Sequence, residues 1–368
     1  MGDLRRRRQR SLARRNGRGR IGVMTGPRLA DHAKPGRNCP LRYRYSPNAF
    51  DSTPRLEAET LYVVGGLYGN VLALQSVLAM RQAELSRGCP VTLMFNGDFN
   101  WFDVDADSFA SINQVVLEHA AICGNVEMEL CSPSGSAGCG CAYPDDVSDT
   151  VVERSNRIMQ RLYAQAANFP DILQRLAALP MHATVAVGEH RIGIAHGDAH
   201  SLAGWDFAVE NLVHRTGQAQ AASLLNQLGA TFQQARVSAF CSSHTCLPVA
   251  FALDVDGRKR LIINNGAAGM PNFRDTTYGL LTRVSVRPEV PHDSLYGIEL
   301  GGLRFDALPI RFDHAAWQRR FLCHWPPGSD AHASYFARIV HGPDYEFAQA
   351  IHVGGVEELA LSHLPSCD

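Results

Sequence analysis

The sequence lacks any long hydrophobic run. No apolar stretch approaches the roughly 20 residues that a membrane-spanning helix needs, and the first residues contain no apolar core of a secretory signal. No internal repeat is evident either. The 368 residues are 45% hydrophobic and 19% charged, which suits a large globular domain with an ample core. We therefore expect a soluble, cytoplasmic protein without a membrane partner.

Acidic residues are scarce at the start of the chain. Residues 1–50 hold 14 lysines and arginines but only 2 aspartates, whereas the remainder holds 21 basic and 34 acidic residues. The run RRRRQRSLARRNGRGR has almost nothing to bury, so residues 1–50 are predicted to be disordered. A basic segment of this kind can bind nucleic acid, but no aromatic residues are interleaved to stack on bases. A dispensable tail, or a true start at Met24, is the favoured interpretation.

Disulfide bonds are not expected, although the chain has ten cysteines. A disulfide framework is typical of short exported domains, and this chain is long and has no export signal. The cysteines are therefore predicted to be buried thiols or metal ligands.

Apolar, β-branched runs bounded by turn residues predict eight strands. They cover residues 60–64, 91–95, 183–187, 191–196, 238–242, 248–255, 260–265 and 279–286. Asn70 is a predicted helix cap, and Thr150 with Glu153 forms a predicted capping box for a helix that ends before Pro170. A helix is predicted from about residue 313, followed by a looser segment. This pattern indicates an α/β protein, with two packed sheets as one arrangement.

Polar motifs follow several of these predicted strands, at the position where α/β proteins gather their functional sites. The motifs are GGLYGN (65–70), NGDFNWFD (96–103), CGNVE (123–127), AHGD (195–198), SSHTCLP (242–248) and INNGAAGMPNF (263–273). Each motif alone is more typical of an ordinary turn than of a site. Their occurrence together and in this order is much less common.

In this order the motifs resemble those of the calcineurin-like metallophosphoesterases, whose pattern is D-x-H, GDxxD, GNH[DE], a lone His before Gly, and GHxH. The resemblance covers roughly residues 58–288. It implies a four-layer α/β/β/α sandwich of two mixed sheets. The expected organisation is a basic segment (1–50), a metallophosphoesterase-like domain (51–290) and a C-terminal hairpin and helical extension packed on the core (291–368).

The resemblance implies one complete metal site. The family's ligands for its second metal correspond to Asp98, Asn125, His196 and His244, and all four are present. One carboxylate, one amide oxygen and two imidazoles form a mixed oxygen and nitrogen set that suits Mn²⁺, Fe²⁺ or Zn²⁺. We therefore expect one divalent metal ion as cofactor. The alternative is that the four side chains bond to one another without a metal.

The ligands of the family's first metal are largely missing. Gly66 stands where the family has its aspartate, Tyr68 where it has the first histidine, and Cys246 where it has the last histidine. Val126 stands where the family has its catalytic histidine. Loss of one ligand set beside a complete second set indicates remodelling to a mononuclear site.

Two side chains are candidates for the missing proton transfer, Tyr68 and Glu127. The phenol of Tyr68 can donate a proton or a hydrogen bond, but Tyr68 can equally fill the volume that the lost ligands leave. Glu127 occupies an acidic position that the family already has, so its presence does not argue for a new role.

Two further sites remain open. Cys246 is a possible additional metal ligand, helped by Cys139 and Cys141 in the Gly/Ser/Cys-rich insertion at 130–147. Gly65 and Gly66 precede a predicted helix, so their backbone amides can bind an anion there. The simpler interpretation is that these glycines only permit a tight turn.

Three functions are compatible with this pattern. The first is a divergent metal-dependent hydrolase that acts on a phosphomonoester or phosphodiester, with a small-molecule substrate as its partner. The second is a non-hydrolytic metal-binding or ligand-binding protein on the same scaffold. The third is a mononuclear iron enzyme of another reaction class. A homo-oligomer is possible through the helix around Trp317 and Phe321, although packing on its own core is favoured.

Overall fold

The computed structural model of the protein describes residues 34–213 and 218–352. The basic residues 1–33, including Met24, and residues 353–368 lie outside the described residues. Among the described residues, no helix combines the length and the apolar character that crossing a membrane requires.

The strands are β1 (Leu56–Ala58), β2 (Thr60–Val64), β3 (Val91–Asn96), β4 (Ala120–Ile122), β5 (His182–Val187), β6 (His190–Ala195), β7 (Ala239–Ser242), β8 (Val249–Val255), β9 (Arg258–Asn264), β10 (Gly279–Ser285), β11 (Tyr296–Leu300), β12 (Leu303–Ile310) and β13 (Ile351–His352). The helices are α1 (Val71–Ser86), α2 (Ala106–Val116), α3 (Asn125–Cys131), α4 (Asp149–Ala166), α5 (Pro170–Ala177), α6 (Val209–Val213), α7 (Gln218–Ala235), α8 (His314–His324) and α9 (Asp330–His341).

Two mixed sheets form the centre of the fold. One has the order β1-β5-β6-β7-β9-β8-β13 and the other has the order β11-β12-β10-β2-β3-β4. Pairing is parallel from β2 to β3 and β4, and parallel from β6 to β7 and β9, with antiparallel strands beside them. The parallel segments matter for the site because their carboxyl ends carry the polar motifs.

The sheets pack face to face, and helices cover their outer faces. Leu61 of β2 and Ile192 of β6 belong to one apolar cluster between the sheets. On the outer side of β2, Tyr62 packs with Leu74 of α1. On the other sheet, Phe232 of α7 packs against Phe240 of β7, with ring centroids 5.1 Å apart. The predicted four-layer α/β/β/α sandwich is confirmed.

The eight predicted strands are all present, with ends within two residues of the predicted ones. In β2 the sequence TLYVV is buried at every position, because the strand has one face toward the second sheet and the other toward α1. β-branched and aromatic side chains suit such a two-sided environment. The short strands β1, β4 and β13 were not predicted, and β11 and β12 form an antiparallel hairpin within residues 291–368, where the resemblance implied one.

The helix starts show one success and one error. Asn70 caps α1 as predicted, and its Oδ1 accepts hydrogen bonds of 3.1 Å from the amides of Leu72 and Ala73. The predicted capping box at Thr150 is wrong. Helix α4 begins at Asp149, and its cap is Ser148, whose hydroxyl accepts from the amide of Val151. Ser148 is an equally good capping residue two positions earlier, so the helix gains a further half turn.

The C-terminal region is more ordered than predicted. Strand β12 pairs with β10 from Leu303 to Ile310 and thus lies within the second sheet. The segment predicted to be loose contains helix α9. Trp317 and Phe321 of α8 are buried in the protein's own core.

The prediction of disorder up to residue 50 is wrong for residues 34–50. Tyr43 and Phe50 are fully buried, and the ring of Phe50 meets Phe240 edge-on at 5.2 Å. The charge count predicted disorder because arginines dominate it, but these aromatic side chains provide the apolar area that anchors the segment.

The anchoring of this segment can be tested by replacing Phe50. We expect Phe50→Ala to lower the free energy of unfolding by about 3–5 kcal/mol, because it leaves a cavity against Phe240. Leu41 lies in the same segment but is 83% exposed, so Leu41→Ala should change stability by no more than about 0.5 kcal/mol. Urea denaturation measures both values. Equal stability of the two variants would contradict the docked arrangement.

Candidate metal centre

Four polar side chains meet where two parallel strand pairs end. Asp98 follows β3, and Asn125 begins α3 just after β4, the parallel neighbour of β3. His196 follows β6, and His244 follows β7, the parallel neighbour of β6. Because each pair of strands ends at the same edge of its sheet, the sandwich brings the four residues to one place.

The nitrogen Nε2 of His196 is at the centre of the group. It lies 3.2 Å from Asp98 Oδ2, 3.2 Å from Asn125 Oδ1 and 3.2 Å from His244 Nδ1. The candidate ligand atoms of Asp98, His196 and His244 all lie within 4.8 Å of one another. All four residues are buried. The structure therefore brings together the four side chains that the sequence singled out.

Backbone carbonyls fix the tautomers of both histidines. The Nδ1–H of His196 donates to the carbonyl of Asn96 at 2.8 Å. The Nε2–H of His244 donates to the carbonyl of Cys141 at 3.1 Å. A carbonyl only accepts, so these nitrogens carry the ring hydrogens. The other two nitrogens, which face each other, are lone-pair acceptors when the rings are neutral.

The two oxygen atoms of the group are oriented in the same way. The Asn125 amide donates from Nδ2 to the carbonyl of Cys139 at 3.0 Å, which turns Oδ1 toward His196. Asp98 accepts from the amide of Val126 through Oδ1 at 3.1 Å, which leaves Oδ2 toward the histidines. Four acceptor atoms thus converge, as in a site for a cation.

The protonation of the group follows from its burial and its one carboxylate. Burial would raise the pKa of Asp98, but the histidines hold it below its usual value. Burial would lower the pKa of His196, but the Asp98 carboxylate raises it above the ordinary value. Burial and the neighbouring His196 lower the pKa of His244 to about 4. A proton on His196 is therefore the alternative to a cation among these atoms.

Glu127 accepts hydrogen bonds from the backbone of the turns that carry Asp98 and Asn125. Its Oε2 accepts from the amides of Asp98 (2.8 Å) and Gly124 (2.9 Å), and its Oε1 accepts from the amide of Phe99 (3.1 Å). The amide group of Asn100 also donates to Oε1. Burial and the Asp98 carboxylate raise the pKa of Glu127 to about 7. Oε1 bonds only to the turn after β3, whereas Oε2 bonds to the turns after both β3 and β4, so the contacts of Glu127 are those of a positioning residue.

The turn after β2 is filled by its own tyrosine. A side chain at Gly66 would begin 2.3 Å from Tyr68 Cζ and 2.7 Å from its hydroxyl, so the ring of Tyr68 lies where that side chain would be. Tyr68 is buried and has a φ of 53°, which is unusual for a bulky residue. These contacts favour the interpretation that Tyr68 fills the volume of the lost ligands.

Two hydrogen bonds connect Tyr68, through Cys246, to the backbone of His244. The hydroxyl of Tyr68 lies 2.8 Å from Cys246 Sγ, and the thiol of Cys246 donates to the carbonyl of His244 at 3.3 Å. Burial raises the pKa of Tyr68 well above its usual value and also raises the pKa of Cys246. Without a metal ion, both groups therefore keep their protons in these hydrogen bonds.

The anion site predicted at Gly65 and Gly66 lies beside a helix start whose amides are already bonded. The amides of residues 68–71 donate to backbone carbonyls at 2.9–3.3 Å, and the next two amides of α1 donate to Asn70. The ring of Tyr68 covers Gly66. The amides of residues 68–73 are thus already satisfied, and an anion site at the amides of Gly65 and Gly66 stays a prediction.

The loop cysteines do not join the candidate ligands. In the described part of the chain, Asp98, His196 and His244 are the only group of at least three His, Cys, Asp or Glu side chains with metal-ligand spacing. Burial raises the pKa of the Cys141 thiol well above its usual value. What sequence reasoning missed is that Cys139 and Cys141 act through their backbone carbonyls, for which the insertion carried no signal.

Comparison with known proteins places the fold. No protein-family model matches the chain, and no curated protein matches it. Among solved structures, a hypothetical protein from Pyrococcus horikoshii is 10% identical over 77% of this chain and 99% of its own, with a TM-score of 0.53. A metallophosphoesterase from Sphaerobacter thermophilus is 15% identical over 78% of this chain and 100% of its own, with a TM-score of 0.48.

These likenesses are too distant in sequence to transfer an activity, and they concern the architecture. The likeness to the Pyrococcus horikoshii protein agrees with the two mixed sheets and the outer helices. The protein therefore has the four-layer sandwich of two mixed sheets that its resemblance to the calcineurin-like metallophosphoesterases implies.

Proposed function

We propose that the protein is a metal-dependent hydrolase with a single-ion site that acts on a small-molecule phosphomonoester or phosphodiester. The observation that carries the proposal is the convergence of four acceptor atoms, with both histidine tautomers fixed so that their lone pairs face one another. The metallophosphoesterase fold supplies the reaction class.

The donor set fits one divalent ion, Mn²⁺, Fe²⁺ or Zn²⁺. It would be held by Asp98 Oδ2, Asn125 Oδ1, His196 Nε2 and His244 Nδ1, a mixed oxygen and nitrogen set. When bound, such an ion polarises a phosphoryl oxygen and lowers the pKa of a bound water. The backbone carbonyls behind both imidazoles keep the ligand atoms aimed inward before the ion arrives.

A guanidinium supplies positive charge beside the Tyr68 and Cys246 pair. Arg338 of α9 donates from Nη2 to the carbonyl of Cys246 at 2.8 Å and from Nε to the carbonyl of Pro271 at 3.3 Å. Its charge acts to lower the pKa of Tyr68 and of Cys246, against the larger effect of burial. In the proposed reaction Arg338 stabilises the phosphoryl anion on the side where the family has its first metal.

The second candidate is a metal-binding protein without hydrolytic activity. It is favoured by the residues at two positions of the site. Val126 stands at the position of the family's catalytic histidine, and Tyr68 keeps its proton in a bond to Cys246. A leaving group would then depend on solvent for its proton.

An iron enzyme of another reaction class would use the same four ligands. It would differ from the other two candidates in its reaction with O₂.

Metal analysis tests the site directly. We expect the purified protein, after incubation with Mn²⁺, Fe²⁺ or Zn²⁺, to bind one ion per chain. His244→Ala removes one ligand and Asp98→Asn removes the negative charge, so both variants should lose the ion. Cys246→Ser serves as the control and should retain it, because the thiol is not a ligand. Two ions per chain, or an ion lost in Cys246→Ser alone, would contradict the single-ion site.

The affinity for the ion should fall as the pH decreases. The pKa of His196 is raised above its ordinary value by Asp98, so below that pKa the ring binds a proton at the nitrogen that an ion needs. Each further pH unit should then weaken the binding about tenfold, whereas above that pKa the affinity should change little. Calorimetric titrations with Mn²⁺ between about pH 5 and 8 measure this. A constant affinity across the range would argue against His196 as a ligand.

Turnover of generic phosphoesters separates the candidate functions. We expect activity in the metal-loaded protein, and a loss of about 100-fold or more in kcat/KM for His244→Ala. Tyr68→Phe should change kcat by less than about threefold, since a general acid would contribute at least about 100-fold. Metal binding without turnover would favour the non-hydrolytic protein, and O₂ consumption with Fe²⁺ would favour the iron enzyme.

A further inference from the structure

The loop at 132–148, between α3 and α4, lies against the candidate metal centre through its backbone. The carbonyl of Cys139 accepts from Asn125 Nδ2 at 3.0 Å, and the carbonyl of Cys141 accepts from His244 Nε2 at 3.1 Å. Two of the four candidate ligands are therefore oriented by carbonyls only two residues apart. Trp205 Nε1 also donates to the carbonyl of Cys141 at 3.1 Å, which fixes that carbonyl from the outer side.

The N-terminal segment holds this loop in position. The amide of Gly36 donates to the carbonyl of Ala137, and the carbonyl of Gly36 accepts from the amide of Tyr143, both at 2.9 Å. Arg37 donates to the carbonyls of Pro144 (2.7 Å) and Val147 (2.5 Å). Residues 36 and 37 thus bond to the loop on both sides of the two carbonyls.

The side chain of Asn156 in α4 hydrogen-bonds both to the loop 132–148 and to the N-terminal segment. Its Oδ1 accepts from the amide of Cys139 at 2.9 Å, and its Nδ2 donates to the carbonyl of Pro35 at 3.0 Å. The loop is therefore bonded to a helix, to the N-terminal segment and to two candidate ligands. A loop with this many fixed contacts can hold a carbonyl in a constant direction.

Gly140 is the residue on which the direction of the two carbonyls depends. Its φ is 72°, a conformation that side chains disfavour. A Cβ there would lie 2.5 Å from the hydroxyl of Tyr43, 3.0 Å from Glu129 Cγ and 3.3 Å from Asn125 Cβ. Tyr43 and Glu129 cannot give way easily, because they are buried and bonded to each other at 2.5 Å. Any side chain at position 140 must displace the peptide units on either side of it.

We propose that the loop 132–148, docked by residues 35–37, is the outer shell of the metal centre, and that Gly140 is its positioning residue. The inference rests on the metal centre proposed above. The loop sets the tautomer of His244 and the amide orientation of Asn125 through the carbonyls of Cys141 and Cys139. The Cys141 thiol also accepts from Asn125 Nδ2, at the longer distance of 3.6 Å, so the carbonyl of Cys139 at 3.0 Å is the nearer partner of that amide.

The test compares two glycine substitutions in one loop. Gly140→Ala should weaken the binding of Mn²⁺ about tenfold or more, as removal of outer-shell hydrogen bonds does in metal sites. It should also alter the visible absorption spectrum of the Co²⁺-loaded protein, which reports ligand geometry. Gly135→Ala is the matched control, because a Cβ at Gly135 meets nothing within 4 Å. We expect the control to bind Mn²⁺ with the parent affinity, within about twofold, and to give the parent Co²⁺ spectrum.

The outcomes separate this inference from the metal centre itself. If the parent protein binds no ion, both are overturned. If the parent binds one ion and a folded Gly140→Ala matches Gly135→Ala in affinity and spectrum, only the role of the loop is overturned. If Gly140→Ala does not fold, the role of the loop is tested with Arg37→Ala instead. This variant removes the hydrogen bonds to the carbonyls of Pro144 and Val147 and changes none of the four candidate ligands. A weakening of about threefold or more in Arg37→Ala supports the inference, and the parent affinity contradicts it.

Discussion

The site depends on one buried carboxylate. Asp98 lies at the end of a strand with a φ of 53°, and the amides around it are held by Glu127. A buried anion is costly unless a positive charge is close to it. His196 Nε2 at 3.2 Å is the position where that charge must be, as a proton or as a cation. The carbonyl behind His196 keeps the other ring nitrogen protonated, so both choices use the same nitrogen.

Much of this arrangement could be predicted because it is local in the sequence. The strands are runs of apolar residues, and each of the four candidate ligands directly follows a strand or begins the next helix. The start of α4 could not be predicted in this way, since Ser148 and Thr150 are both suitable caps and tertiary contacts decide between them. Helix α9 had a usable signal, because Ala331, Tyr335 and Ile339 repeat at intervals of four residues and two of them are buried.

Backbone groups and docked segments explain what the sequence did not reveal. The thiols of the insertion at 130–147 suggest metal ligands, but the shortest contacts of the insertion with Asn125 and His244 are made by backbone carbonyls, which every residue has. The N-terminal segment was judged by its charge, although Tyr43 and Phe50 are enough to bury it. In both cases overall composition was a poor guide, because a few particular groups, two aromatic side chains in one segment and two carbonyls in the other, decide where the segment docks.

Tyr68 and Cys246 form a neutral pair beside the candidate metal centre, and in the proposed function this pair would favour a single ion. Tyr68 and Cys246 keep their protons, and they bond to each other where a cation would need anionic or imidazole ligands. The guanidinium of Arg338, bonded to the Cys246 carbonyl, already places a positive charge beside them. A second metal ion would therefore meet repulsion from Arg338 without a new carboxylate to offset it. In the proposed function, this guanidinium together with the neutral Tyr68 and Cys246 would leave the carboxylate of Asp98 to one metal ion.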